Sequence, residues 1–506
     1  MDDRSDGNTL NRRQMLKMTL LAGGAIAGMC GAAPVRGFLQ GGAPRTKNSG
    51  PPNFIIIYCD DLGYGDVGCY GATAISTPNI DRIAAEGMRF TDFYTCGLIC
   101  GPSRAGLLTG RYPYRSGVTG NVYPENESFV SRAKRALSNY VFQEAGIIDL
   151  DESKVVAGIP ERELLLSEML KAAGYRTGMV GKWHLGDYSI NPKFNPVKNG
   201  FDFYLGVPHS NDMNPCPLFR NEQMLEANLW GKNQSMLTGL YTSEAIQFIK
   251  QSRSAGKRFF LYFAHTFPHQ PLWASKNFSG KSKAGKYGDA VEEIDWSVGQ
   301  LLSCLKDLGV DENTLVIFTS DNGPWYEGSA AGFRGRKGQS LEGGFRVPML
   351  ARMPGRVKPQ AVCRAAAMNI DFYPTFLGLA GAALPKDRIV DGRDIYGLLT
   401  GESSASPHEA LFFYHFNTLE GVRVGKWKYL RRCNRYVWPL PLDAVEIPNS
   451  LAQYQLGNRW PLLYDLETDP GECYNLIDRH PEVVKKLEAL MAEEDRARKK
   501  NPGGWL

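Results

Sequence analysis

The chain has 506 residues, a formal net charge of +5, 43% hydrophobic and 22% charged residues. It is too long for one core, since single cores stop growing at roughly 250–300 residues, and this balance excludes both a disordered chain and a membrane-embedded bundle. Much of the basic excess lies in Arg4, Arg12, Arg13, Lys17 and the terminal RARKK run, so no nucleic-acid surface is implied; ten cysteines without a CxxC pair argue against a zinc ribbon or a small disulfide scaffold.

Residues 1–34 read as an export signal: NRRQMLK supplies the charged opening and MTLLAGGAIAGMCGAAP a segment too short and too weakly apolar to span a membrane stably. Arg12 and Arg13, with Leu16 and Lys17 behind them, resemble the twin-arginine signal, although Asn11 and Met15 replace its usual Ser/Thr and Phe. Cleavage is expected after Ala27 or Ala33. Met29 is bulkier than a lipid-attachment signal at Cys30 tolerates. The protein is therefore expected to be periplasmic or extracellular, with no stable membrane span after cleavage. Residues 35–52, with GGAPRTKNSGPP, read as a linker.

The fold is expected to open at NFIIIYCDD, where an apolar run without alternation predicts a strand covered on both faces, ending in Asp60 and Asp61. The pattern recurs three times. YRTGMVGKWHLG ends in Lys182 and His184, RFFLYFAHTFPHQP in His265 and His269, and TLVIFTSDNG in Asp321 and Asn322. Helical patterns lie between: PNIDRIAAEG, with Pro78 as first residue and Gly87 as stop; LLLSEMLKAAG; and DAVEEIDWSVGQLLSCLKDLG, with Val291, Ile294, Val298, Leu301, Leu302 and Leu305 on one stripe. Residues 121–160 read as an insertion at the rim. After about residue 405, ALFFYHF, GVRVGKWKYLRR and PLLYDLETDP read as strands, and HPEVVKKLEALMAEEDRARKK as a closing helix with Val483, Val484, Leu487 and Leu490 inward. The expected fold is α/β: a large, mainly parallel sheet sandwiched by helices over 53–405, plus a small α+β subdomain with an antiparallel sheet over 406–506.

In such sheets ligands bind beyond the carboxyl ends of the strands, so the four polar clusters are expected to converge. Asp60, Asp61, Asp321 and Asn322 offer oxygen ligands alone, which suit Ca2+ or Mg2+ and disfavour zinc. Their three negative charges in one buried pocket call for a cation. Arg104, Lys182 and Lys337 are fixed cations, and His184 and His269 proton carriers. Together they suit an anion such as a sulfate or phosphate ester. His209, His265 and His415 read as structural residues or substrate contacts. CGPSRAGLLTG (100–110) predicts a helix start with Pro102 in its first turn, and leaves Cys100 as a thiol of lowered pKa or something more specific.

Cys100, Pro102, Ser103, Arg104, Thr109 and Gly110 match the pattern C-x-P-S-R followed by T-G, and the chain thereby resembles the formylglycine-dependent sulfatases of the alkaline-phosphatase-like superfamily. NFIIIYCDDLGYGDVGCYG, GKWHLG, FFLYFAHTFPHQP, TLVIFTSDNG, GRKGQSLEGGFRVP, NIDFYPTFLGLAG, DGRDIYGLLTG and LYDLETDPGECYNL follow in the family's order over roughly residues 53–480. FDFYLGVPHSNDMNPCP and the C-terminal strands are most similar to the arylsulfatase A branch. The resemblance implies that a formylglycine-generating enzyme reads Pro-Ser-Arg and oxidises Cys100 before folding. One hydroxyl of the hydrated aldehyde then attacks sulfur, and the other, once deprotonated, expels inorganic sulfate. It further implies Ca2+ held by Asp60, Asp61, Asp321, Asn322 and the modified Cys100. Arg104 would hold the formylglycine and His184 orient the hydrate and remove its proton. Lys182 and Lys337 would grip the sulfate, and His269 protonate the leaving alcohol, with Lys337 beside it. Gly101 at the variable second position departs harmlessly from many relatives. The implied activity is hydrolysis of a sulfated carbohydrate or aryl sulfate. The alternatives are a phosphomonoester or phosphonate hydrolase on this scaffold, or a catalytically silent binder of sulfated glycans. Substrate choice is expected in loops 121–160, 208–235 and 415–460, where Trp230, Tyr436 and Trp438 read either as sugar platforms or as packing.

Overall fold

The run NFIIIYC forms β1 (Asn53–Cys59), every residue of it buried, in the computed structural model of the chain, which describes residues 50–127, 129, 132–133, 157–433 and 461–506. Its side chains alternate between two cores: Phe54, Ile56 and Tyr58 enter one, Ile55, Ile57 and Cys59 the other. That is the period of two of a strand covered on both faces, and each fully buried apolar side chain contributes about 1.5–3 kcal/mol. The export signal of residues 1–34, Cys30, nearly all of the linker, most of the 121–160 insertion, Tyr436 and Trp438 lie outside the described residues.

The chain continues through β2 (Met88–Phe90), β3 (Phe93–Tyr94), β4 (Arg176–Lys182), β5 (Phe203–Val207), β6 (Leu218–Arg220), β7 (Gln223–Glu226), β8 (Phe259–Ala264), β9 (Thr314–Ser320), β10 (Met349–Arg352), β11 (Ala361–Cys363) and β12 (Ala367–Met368). The main sheet has ten strands in the order β11-β2-β10-β9-β1-β8-β4-β5-β6-β7. Its centre is parallel, and β10, β6 and β7 run antiparallel to their neighbours. Helices α1 (Pro78–Ala85), α2 (Cys100–Thr109), α3 (Leu166–Ala172), α4 (Leu237–Ser254), α5 (Gly285–Asp307) and α6 (Phe372–Ala380) cover it. Ile80 and Ile83 of α1, Phe248 of α4 and the α5 stripe from Val291 to Leu305 pack on one face. Leu107 and Leu108 of α2, Leu170 of α3 and Phe376 of α6 pack on the other.

Pro78 opens α1 as its first residue, where its missing N–H costs nothing. The helix ends at Ala85 with Glu86 as its cap, just ahead of the expected stop at Gly87, and Gly87 has a second role: a Cβ there would stand 2.2 Å from the Ala351 carbonyl, so the close approach to β10 requires glycine. GVRVGKWKYLRR holds two strands about a turn at Gly425. The second sheet comprises β13 (Leu411–His415), β14 (Thr418–Val424), β15 (Trp427–Leu430) and β16 (Leu462–Asp465), antiparallel in that order. Helix α7 (Pro481–Lys500) closes it with Leu487 and Met491 buried and Val483, Val484 and Leu490 packed at their edge. This core is shared: Tyr94, Leu98, Tyr112 and Phe345 of the main unit enter it beside Phe413, Val422 and Leu463. Among the described residues no helix is long and apolar enough to cross a membrane, and the nine described cysteines are unpaired.

Candidate functional site

Strands β9, β1, β8 and β4 are sheet neighbours and all parallel, so their carboxyl ends share one edge. Asp60 and Asp61 follow β1, Lys182 ends β4 with His184 just beyond it, His269 follows β8, and Asp321 and Asn322 follow β9. Asp61 and His184 adopt left-handed backbone, with φ of 63° and 60°. Such conformations cost a non-glycine residue of order 1–3 kcal/mol and persist where surroundings over-determine them. Here the Asp61 N–H donates to Asp321 Oδ1 at 3.1 Å and the His184 N–H to the Pro208 carbonyl at 2.9 Å.

Cys100 is the first residue of α2, 1% exposed, and its Sγ lies 3.2 Å from Asp60 Oδ1 and 3.5 Å from Lys337 Nζ. Lys182 Nζ donates to Asp60 Oδ2 at 2.5 Å. Lys337 Nζ lies 2.7 Å from Asp61 Oδ1. Arg104 donates through Nε and Nη2 to Asp321 Oδ2 at 3.1 and 2.7 Å, and through Nη1 to the Lys182 carbonyl at 2.9 Å. Asn322 Nδ2 donates to Asp61 Oδ1 at 2.7 Å, and His269 Nε2 stands 3.7 Å from Asp61 Oδ2. Cys100, Arg104, Lys182, His269, Lys337, Asp60, Asp61, Asp321 and Asn322 thus form one contact network. His184 joins it differently: it is fully buried and neither ring nitrogen has a hydrogen-bond partner among the described residues. The His269 and Lys337 side chains, 12% and 11% exposed, face solvent most, which puts the mouth on their side.

Each of the three buried carboxylates also has a cationic side chain against it: Lys182 meets Asp60, Lys337 meets Asp61 and Arg104 meets Asp321. Burial opposes ionisation of Asp60, yet Lys182, His269, Arg104 and Lys337 hold its carboxyl well below the usual range. Burial, then Asp60, pushes Asp321 up to about 7. Burial and Asp60 also push the Cys100 thiol up, against the lowered pKa that a helix N-terminus by itself would suggest. His184 is driven well below its usual value by burial first, then by Lys182 and His209, so it stands as a neutral base.

The donor set fits a hard divalent cation on two observations. Asp60, Asp61, Cys100 and His269 bring ligand atoms within 4.8 Å of one another, and Asn322 Oδ1 is buried without a partner among the described residues. Asp321 and Asn322 adjoin this group, each bonded to Asp61. His265 stays apart, its ring tilted by 50° against Phe263 at a centroid distance of 4.2 Å with burial pushing it down to about 3, and buried His415 lies in the second sheet.

Two groups of contacts went beyond the sequence reading, which placed His209 as a structural residue or substrate contact and Ser103 within the Cys100 motif. Beyond β5, His209 packs its ring against His184 (centroids 6.4 Å, 82°) with Nε2 3.4 Å from Asp187, while Ser210 Oγ lies 3.4 Å from His269 Nδ1. One dipeptide therefore touches both histidines, and its signal was present in FDFYLGVPHSNDMNPCP. Beneath Cys100, Ser103 Oγ lies 2.9 Å from Tyr58 Oη and accepts from Asn369 Nδ2 at 2.9 Å. Pro102, Ser103 and Arg104 are buried, so the folded chain hides this stretch from any enzyme that must read it. Gly101 is tighter than expected: a Cβ would meet the Gly120 carbonyl at 3.1 Å. Beside the Lys337 loop lies a cavity of about 510 Å³ lined by Tyr326, Ser329, Phe333, Arg336 and Gln339 among others, and Trp230 stands 49% exposed.

Residues 52–382 match the Sulfatase family, and residues 336–497 match the family described as N-sulphoglucosamine sulphohydrolase, C-terminal. The chain is 37% identical to the N-acetylgalactosamine-6-sulfatase of Canis lupus familiaris over 482 residues, covering 89% of this chain and 85% of that protein. It is 37% identical to arylsulfatase A of Homo sapiens over 494 residues, covering 88% and 89%. Among solved structures, the PsFucS1 sulfatase from Pseudoalteromonas sp. superposes with a TM-score of 0.74 at 26% identity, covering 90% of this chain and 91% of that one.

Proposed function

We propose, on the premise that this chain belongs to the sulfatase family and hydrolyses sulfate esters, that its substrate is a sulfated saccharide and its nucleophile a formylglycine made from Cys100, with Ca2+ beside it. The observation that carries the reading is the seat of Cys100: a buried thiol at the head of α2, 3.2 Å from Asp60 and 3.5 Å from Lys337. With its pKa raised it makes a poor thiolate, which favours conversion to another nucleophile. Burial of Pro102, Ser103 and Arg104 favours conversion before folding, by a formylglycine-generating enzyme acting on the extended chain.

Oxidised and hydrated, residue 100 supplies one hydroxyl to attack sulfur and a second whose deprotonation expels inorganic sulfate. Asp60, Asp61, Asp321 and Asn322 would hold the cation, Ca2+ or Mg2+, which supplies charge that polarises the ester oxygens. Arg104 anchors Asp321 and offsets charge beneath the nucleophile. Lys182 and Lys337 supply the positive charge for the sulfate oxygens. His184, neutral and without a hydrogen-bond partner among the described residues, takes the proton of the second hydroxyl. His269 donates Nδ1–H to the Gln270 carbonyl at 2.5 Å, which turns Nε2 to the mouth, where the ring protonated on both nitrogens would pass its Nε2 proton to the leaving alcohol and be left neutral. The name of the N-acetylgalactosamine-6-sulfatase relatives, and the polar and aromatic cavity beside Lys337, favour a saccharide over a plain aryl sulfate.

The same reading takes residues 1–34 as a twin-arginine export signal, supported by NRRQMLK and the apolar segment behind it, and divides the mature chain into a catalytic unit over 53–405 and a C-terminal subdomain over 406–506. Two measurements test it together. Mass spectrometry of the peptide containing Cys100, from protein made with a formylglycine-generating enzyme, is expected to find the aldehyde; an unmodified thiol in fully active protein would reject that nucleophile. A panel of defined sulfated mono- and disaccharides, beside an aryl sulfate and a matched phosphate ester, is expected to give the highest kcat/KM on a sulfated sugar. Turnover confined to the aryl sulfate would reject the substrate class.

A further inference from the structure

Lys337 differs from the other site cations in having no strand or long helix to carry it. It lies in the irregular segment between β9 and β10, where its own N–H donates to the Pro324 carbonyl at 3.1 Å and the Gly338 N–H to the Leu98 carbonyl at 3.1 Å. On either side of Lys337 the segment is held by the second sheet. Arg334 Nη1 donates to the Glu472 carbonyl at 2.9 Å and lies 3.4 Å from Tyr464 Oη. Ser340 Oγ donates to Glu420 Oε2 at 2.5 Å, and the Glu342 N–H to Glu472 Oε2 at 2.7 Å. Lys428 Nζ bridges the carboxylates of Glu342 and Glu472 at 2.9 Å each. Leu341, fully buried, packs in a cluster whose other members are Leu430, Cys433, Leu462, Tyr464 and Leu466. Glu420, Lys428 and Glu472 are themselves at most 1% exposed.

A buried polar network of this kind admits few alternative geometries, because each displaced group would lose its partner inside the protein. Its rigidity passes along a few residues of backbone to the Lys337 ammonium, 2.7 Å from Asp61 Oδ1 and 3.5 Å from Cys100 Sγ. We propose that the C-terminal sheet positions Lys337 for the sulfate, and that Ser340 and Glu420 are positioning residues acting through that lysine. The inference rests on the role given to Lys337 above. Its consequence is that the second unit is part of the catalytic apparatus although none of its described residues touches the nucleophile.

A double-mutant cycle on the full-length, cysteine-modified enzyme tests this, with kcat/KM on an aryl sulfate and competitive inhibition by inorganic sulfate as the two readouts. Ser340→Ala and Glu420→Ala are expected to lower kcat/KM and weaken sulfate inhibition roughly 10- to 100-fold, the scale of an ångström-sized misplacement. Glu420→Gln, which keeps an oxygen for the Ser340 hydroxyl, should stay within about threefold of wild type. Lys337→Ala combined with Glu420→Ala should lose no more than Lys337→Ala alone. Tyr429→Phe is the stability control, removing the 2.6 Å bond to Glu488 in the same sheet. It should lower the melting temperature and leave both readouts at wild type. Fully additive losses in the cycle, or a Glu420→Ala enzyme that behaves like Tyr429→Phe, overturn the proposal. A Lys337→Ala enzyme with wild-type rates and inhibition overturns the role of Lys337 itself, and with it the premise of the clamp.

Discussion

Lys182 and Lys337 face the same pocket from opposite kinds of support. Lys182 is the last residue of β4, flanked by parallel neighbours β8 and β5, and its ammonium meets a fully buried Asp60. Lys337 comes from an irregular segment and reaches Asp61 near the mouth, with its side chain 11% exposed. The strand ladder places the first cation almost as a by-product of the fold, since every backbone group around it is already paired. The second has no such ladder and takes its rigidity from Glu420 and Lys428 of another sheet and from Glu472 in the turn that follows its last strand. Two residues of like chemistry can therefore differ in how far away their determinants lie.

Removing the strand-borne cation should have the largest combined effect, on stability as well as on turnover, and breaks the comparison most directly. Lys182→Met leaves Asp60 fully buried, with Arg104 Nη2 at 3.8 Å as its nearest remaining cation, and should cost about 3–5 kcal/mol in chemical denaturation as an uncompensated buried charge. Steady-state turnover of an aryl sulfate should fall about 10²- to 10³-fold, the scale of losing one preorganised donor; a smaller loss than that of Lys337→Ala would invert the ranking of the two supports.

At the mouth, where side chains keep partial solvent access, the effect should depend on the substrate. His269→Ala is expected to slow sulfated sugars, whose alcohol leaves poorly, by about 10²- to 10⁴-fold, and activated aryl sulfates far less. Equal losses on both classes, measured as kcat/KM, would remove His269 as the acid.

The smallest effect sharpens the other end of the comparison, the clamp. Burial first, with Glu342 adding to it against the pull of Lys428, pushes the Glu472 carboxyl up to about 7. A carboxyl whose folded pKa lies above its unfolded value of about 4.3 binds a proton in the folded state that the unfolded chain has lost. The stability that this proton uptake contributes is fully present below about pH 4.3 and is lost as pH rises through about 7. The advantage of wild type over Glu472→Gln should therefore shrink between pH 5 and pH 8, by about 2–4 °C in melting temperature. A gap that widens over that interval would mean that Glu472 stays ionised beside Lys428 throughout.

Much of the site was legible because it repeats a local rule. An apolar run followed at once by polar residues marks the end of a buried strand, and the four runs ending in Asp60–Asp61, Lys182–His184, His265–His269 and Asp321–Asn322 did form adjacent parallel strands. His265 shows the limit of the rule, since it shares the strand end but packs on Phe263. Ser210, Asn369 and the contacts of His209 were not legible in the same way. Each acts through a partner remote in sequence, Ser103 and Asn369 being 266 residues apart, and a single hydroxyl or amide carries no periodicity.

What the chain determined by itself is its alternation of strands and helices, the apolar stripe of α5, the oxygen-rich donor set and the CGPSR stretch, because these follow from residue type and spacing over a few turns. Tertiary structure alone decided that each buried carboxylate meets its own cation, that His184 stays neutral beside Lys182 and His209, and that a second sheet holds the segment bearing Lys337. Those outcomes depend on distance and burial, which set the strength of charge interactions, and neither quantity exists until the chain has closed on itself.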